Sequence, residues 1–191
     1  MPSEDLPILP FASAAAWEAW LEAEHATAAG VWLRIAKKRS GIPTVTYAEA
    51  LDAALCVGWI DGQRRAFDAT WFVQRFTPRK RGSRWSKINT EHALRLIAAG
   101  RMRPAGLAQV EAARADGRWD AAYAGQASAT VPDDLRAALD RNPDAAAFFA
   151  TLRGANRYAI LYRVQDAKRP ETRARRIDRF VAMLARGETL H

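Results

Sequence analysis

Period-two apolar alternation in this chain is confined to the part that precedes the basic stretch after Pro78. Upstream, "VWLRIAKK" (31–38) alternates, with Val31, Leu33 and Ile35 on one side and Trp32, Arg34 and Ala36 on the other. "WFVQRFT" (71–77) alternates again. Period two places successive side chains on opposite faces of a strand. Downstream the chain reads as helix after helix: "HALRLIAAG", a run from Pro104 to just before Gly117, runs opened by Pro132 and Pro143, then "NRYAILYRVQDAK" and "PETRARRIDRFVAMLARG". Proline suits a first helical turn, where its missing N–H has no intrahelical acceptor. Strands with helices first and helices alone second make an α+β fold. The expectation is a small antiparallel sheet with packed helices, followed by a C-terminal helical bundle.

Local signals refine this. Residues 1–12 read as an extended, proline-punctuated lead-in. Ser13 caps a helix expected to reach about Ala28, with Trp17, Trp20, Leu21 and Ala28 on one face and Gly30 ending it. Thr46 and Glu49 have capping-box spacing at the head of a helix to about Val57. "WIDGQRRAF" and "WFVQRFT", joined through "DAT", read as a hairpin. The runs at 31–37, 63–67 and 71–77 should share one sheet, with the helix from Thr46 packed across it. "YAGQASAT" is small, polar and aperiodic, a linker. It divides an α+β domain with a basic loop, 1–122, from a helical region, 130–191.

The net charge of +8 is unevenly placed. From Gly62 to Thr90 eight Lys and Arg face one Asp, and from Lys168 to Arg179 six face two. The rest of the chain is net acidic. Localised basicity points to an anionic partner: nucleic acid, a membrane surface or an acidic ligand. With 49% hydrophobic residues in 191, the chain can bury a sizeable core. No apolar run approaches the ~20 residues of a membrane-spanning helix. The start lacks a signal-peptide pattern, and the single Cys56 cannot form an internal disulfide. Both lead to the expectation of a cytoplasmic protein.

No phosphate-cradling glycine loop, HExxH or nucleophile elbow is present. His25, His92 and His191 are scattered in sequence, so neither a metal nor a cofactor is expected. "RFTPRKRGSRWSK" (75–87) carries six basic residues, no acidic one and a tryptophan. Its charges have to stay largely in water. As an anion-binding site it offers Arg75, Arg79, Lys80, Arg81, Arg84, Trp85 and Lys87. The last five basic positions, Arg79 to Lys87, should form one positive face, with Trp85 beside it as a stacking surface for a base. The alternative is a solvated loop. A second candidate is a pocket around Trp59, Asp61, Arg64 and Trp71, with Arg173. Asp61 either caps the turn before Gly62 or holds an arginine of the hairpin for an incoming anion. Arg173 falls on the apolar stripe of Ile177, Phe180, Val181 and Leu184. It should therefore be mostly buried against a carboxylate such as Asp166 or Glu171.

Four ordered blocks, "ALCVGWIDGQ", "RFTPRKRGSRWSKIN", "GRMRPAGLAQVEAARADGRW" and "AKRPETRARRI", resemble the bacterial YdeI/OmpD-associated, or bacteriocin-protection, family over residues 17–187. The resemblance implies a cytoplasmic bacterial protein linked to antimicrobial-peptide tolerance or envelope stress, and it implies no reaction. Three function classes follow. The first is a non-enzymatic protein that binds an anionic partner, nucleic acid among the candidates, through the basic loop. The second is an interaction module docking an acidic protein. The third is an enzyme with a pocket around Asp61, Arg75 and Trp85, for which no second acid or base is evident.

Overall fold

The computed structural model describes residues 6–126 and 128–190. Most of the acidic opening, Ala127 of the linker stretch and His191 lie outside the described residues. The chain divides into two compact units, Met1–Trp85 with Asn89–Ala122, and Ser86–Ile88 with Tyr123–His191.

The first unit runs β1 (Ile8–Pro10), α1 (Ala14–Glu24), β2 (Val31–Ala36), α2 (Tyr47–Cys56), β3 (Trp59–Ala66) and β4 (Trp71–Pro78), then most of α3 (Lys87–Ala98) and α4 (Pro104–Ala115). Its sheet has the order β1-β2-β4-β3. The β2–β4 and β4–β3 pairs are antiparallel, as the alternation and the hairpin require. The sheet as a whole is mixed, because β1 pairs parallel to β2, with Ile8 opposite Trp32. The cause is connectivity: α1 carries the chain back so that β2 starts in the same direction as β1. Proline confines β1 to the edge, where a missing N–H costs no ladder bond. Even Pro7 contributes, its carbonyl accepting from Trp32 N at 2.9 Å.

Helix α1 is capped by Ser13 as expected but stops at Glu24. Side chains take over the carbonyls at its end: His25 Nδ1 reaches Leu21 O at 2.8 Å, Thr27 Oγ1 reaches Glu24 O, and Trp59 Nε1 donates to His25 O at 3.0 Å. The Thr46–Glu49 capping box is complete, and α2 packs beneath the sheet. Trp17, Leu33, Leu55, Trp59 and Phe76 share the core with Trp85. Trp17 stacks on Trp20 at 5.3 Å, and Trp20 meets Trp59 edge-on.

One irregularity shapes the sheet. Asp61 pairs with Phe76 and Arg64 with Gln74, so β3 carries one more residue than β4 between these points. This β-bulge shifts the alternation by one position. Arg65, opposite Val73, then lies on the outer face with Arg34, while Arg64, opposite Gln74, lies on the inner one. Gln74 is buried at 3% exposure and donates to Gly62 O at 2.9 Å and Gln63 O at 3.3 Å, fastening the bulge. Gln74→Ala should therefore cost about 1–3 kcal/mol in a denaturant titration, more than a surface substitution.

The second unit holds α5 (Asp133–Asp140), α6 (Pro143–Thr151), α7 (Gly154–Gln165) and α8 (Pro170–Ala185). Leu135, Phe149, Ile160, Ile177, Phe180 and Leu184 share one apolar cluster. Pro143 occupies the first turn of α6 behind Asn142, whose side chain accepts from Ala145 N; Pro132 stands one place earlier, as the N-cap of α5.

Candidate anion-binding surface

The basic loop is less wet than its composition suggests. Arg79 is only 6% exposed; its guanidinium carbon lies 3.6 Å from the centroid of Trp85, and Nη1 donates to Arg84 O at 3.1 Å. Trp85, 2% exposed, packs against Trp119 at 4.9 Å, and Arg114 lies over Trp119 in turn. Arg118 ties the loop down by donating to Ser83 O at 2.7 Å. The expected face of Arg79, Lys80, Arg81, Arg84 and Lys87 with an open Trp85 is thereby corrected. A planar guanidinium can lie flat on an indole and be buried without losing its charge, and that contact closes the loop over both residues. Lys80 and Arg81 at the tip stay exposed and Arg84 is half-buried. Lys87, also exposed, opens α3 and belongs to the second unit.

Arg75 belongs to a different surface. In the β2–β4 register it stands opposite Trp32, on the outer face of the sheet. Arg65 covers the same Trp32 ring at 4.6 Å, and Arg34 lies 4.7 Å from the Trp71 ring and 5.8 Å from that of Phe67. Trp32 is thus buried at 4% exposure, while Phe67 is 46% exposed. Arg34, Arg65 and Arg75 have no carboxylate within 4 Å among the described residues; Arg65 has one amide partner, Gln63, at 3.2 Å. Arg34, Arg65 and Trp32 were not expected at the site. The alternation of "VWLRIAKK" had already placed Arg34 beside Trp32, but Arg65 needed the bulge.

The residues expected around a pocket do not converge. Trp59 is core. Asp61 accepts from the Tyr47 hydroxyl at 2.8 Å, in place of an arginine. Trp71 lies under Arg34. Asp61 and Arg75 point to opposite sheet faces, since neighbouring pairs alternate, and Trp85 is in the core, so no catalytic trio forms. Arg64 lines a cleft, its guanidinium carbon 3.8 Å from the Phe72 centroid. In the second unit, Arg173 is largely covered, as expected, but its partners are Asp134 and the Val164 carbonyl at 2.8 Å. Asp166 instead pairs with Arg176. The hydrogen bond from Arg173 holds the Asp134 carboxyl below its usual range and raises the guanidinium in return.

Two further groups are structural. His92 Nδ1 lies 2.7 Å from Asp52, which also accepts from Arg95, joining α2 to α3. Burial pushes the Asp52 carboxyl up, and the Arg95 and His92 hydrogen bonds more than offset it, leaving it lowered. Burial raises the Cys56 thiol, the opposite of an activated nucleophile. No group of three metal-ligating side chains occurs among the described residues, nor does a helix long and apolar enough to cross a membrane.

Residues 9–109 match the model of a domain of unknown function, DUF8412. Residues 128–187 match the family described as bacteriocin-protection, YdeI or OmpD-associated. That second match is shorter than the resemblance read over 17–187: "AKRPETRARRI" lies inside it, whereas "ALCVGWIDGQ" and "RFTPRKRGSRWSKIN" fall within the first. No curated protein and no solved structure matches the chain significantly.

Proposed function

We propose that this chain, which belongs to the DUF8412 domain family and carries a bacteriocin-protection segment behind it, is a non-enzymatic protein that binds an anionic polymer through the outer face of its sheet. The observation that carries this reading is a contrast between arginines. Among the described residues seven of them, Arg95, Arg101, Arg103, Arg118, Arg173, Arg176 and Arg186, each contact a carboxylate within 4.0 Å. Arg34 and Arg65 rest on aromatic rings, and Arg75 stands beside Trp32. A guanidinium stacked by its face keeps donors at its edge, held in place and weakly hydrated, which suits phosphate. Phe67, exposed at the hairpin end, adds a ring on which a base can stack. Nucleic acid is the polymer that uses both. Lys80 and Arg81 add charge to the same unit. In this reading residues 130–191 form a separate helical bundle that follows the 1–122 domain in sequence, and the protein serves antimicrobial-peptide tolerance in the cytoplasm.

The test is titration with single-stranded DNA, RNA and polyphosphate at about 50 and 200 mM salt. Arg34→Gln, Arg65→Gln and Arg75→Gln combined should flatten the salt dependence by about three units of slope, one per lost phosphate contact. Binding should weaken across all sequences alike. Absence of binding to all three polymers at the lower salt refutes the proposal. Binding of polyglutamate alone would assign the face to an acidic protein.

A further inference from the structure

On the inner side of the same hairpin, the loop from Lys37 to Thr46 stands off the sheet and leaves an open cleft of about 570 Å³. That lies within the ~300–1,000 Å³ typical of small-molecule sites. Its floor is apolar, with Ile35 and Phe72 below, and its walls include Ile42 and Tyr47, which are 38% and 40% exposed. These are two of the few large apolar side chains left in water. The only charged residues on the lining are basic: Lys37, Lys38 and Arg64. Lys37 is already committed, donating to Asp68 O at 2.7 Å and Ala69 O at 3.1 Å. Arg64 is held flat on Phe72, with no carboxylate within 4 Å among the described residues. Lys38 is exposed.

We infer that this cleft binds a small amphiphilic anion, its apolar body on Phe72, Ile35 and Ile42 and its carboxylate or phosphate head at the edge of Arg64. The site is independent of the polymer-binding face. Two carboxylates bond to lining residues from outside the cleft, Asp61 to the Tyr47 hydroxyl at 2.8 Å and Glu49 to the Thr46 hydroxyl at 2.7 Å, and the charged side chains of the lining itself are all basic. Apolar area gives affinity and the cation gives selectivity, since a charge-assisted hydrogen bond to a pre-placed guanidinium adds about ten- to a hundredfold.

The experiment titrates the protein with decanoate and with 2-naphthoate, an acyl and an aromatic carboxylate, beside decanol and 2-naphthalenemethanol as neutral counterparts. The expected result is saturable binding of at least one acid, about tenfold or more tighter than its alcohol. Which acid binds tells the acyl source from the aromatic one. Arg64→Gln should bring the acid down to the affinity of the alcohol, Ile42→Ser should weaken both, and Arg64→Gln should leave polyphosphate binding unchanged. The inference is overturned if neither acid saturates at millimolar concentration, if Arg64→Gln leaves the preference intact, or if Arg64→Gln weakens polyphosphate binding equally.

Discussion

Trp85→Ala should lower the unfolding free energy by about 3–5 kcal/mol, the range for deleting a large buried aromatic. Trp85 is 2% exposed and shares the core with Leu96 and Val110. Its removal also unstacks Arg79 at 3.6 Å and Trp119 at 4.9 Å, so two further side chains lose a packing surface. Arg79 is affected most, since a nearly buried guanidinium would lose the ring that covers it. Had Trp85 been a surface stacking platform, the same substitution would have cost roughly 1–3 kcal/mol in nucleic-acid binding and little in stability. Chemical denaturation separates the two outcomes. An unchanged midpoint would return Trp85 to the surface, while a large shift with unaltered affinity of the folded fraction places it in the core. Trp85→Phe should recover part of the loss.

Gly106→Ala should also destabilise, against the usual sign for a helix interior, where alanine is favoured over glycine by about 1 kcal/mol. Gly106 lies in α4 where that helix crosses the end of α2. A Cβ there would stand 2.3 Å from the Cys56 carbonyl oxygen and 2.8 Å from that of Leu55. Both obstacles are backbone, so no rotamer change relieves them. The helices must separate, and Arg103 N, which donates to Cys56 O at 2.9 Å, moves with them. A net loss of about 1–3 kcal/mol is expected from overpacking, read as a drop in the thermal midpoint. A rise in the midpoint would mean that α2 and α4 do not cross this closely.

Legibility in the sequence follows the range of the interaction. Signals confined to a few residues were readable: the alternation of β2 and β4, the Thr46–Glu49 box, the Ser13 cap, and the inward lean of Arg173. Features set by distant partners were not. Trp119 lies 34 residues beyond Trp85, and nothing in "RKRGSRWSK" announces it, so charge density pointed to an open loop. Asp134, which holds Arg173, lies 39 positions back in another helix. Strand β1 was only three residues long and its pairing depended on α1 turning the chain around. The candidate site was half legible. Basicity of the hairpin was plain, but which face each arginine occupied depended on an extra residue that Gly62 alone hardly betrays.

That extra residue makes the hairpin work like a counter. Along β3, odd and even positions serve different clients, and the step between Asp61 and Arg64 advances the count by one. Arg64 and Arg65 are chemically identical neighbours, yet one faces the cleft over Phe72 and the other the open sheet over Trp32. Moving the extra residue past Arg65, so that Arg64 met Val73 and Arg65 met Phe72, would exchange their assignments while leaving both arginines, and the net charge, in the chain. A composition-preserving slip of this kind would retune both surfaces at once, so the position of the bulge along β3 is as much a determinant of binding as the identity of either arginine.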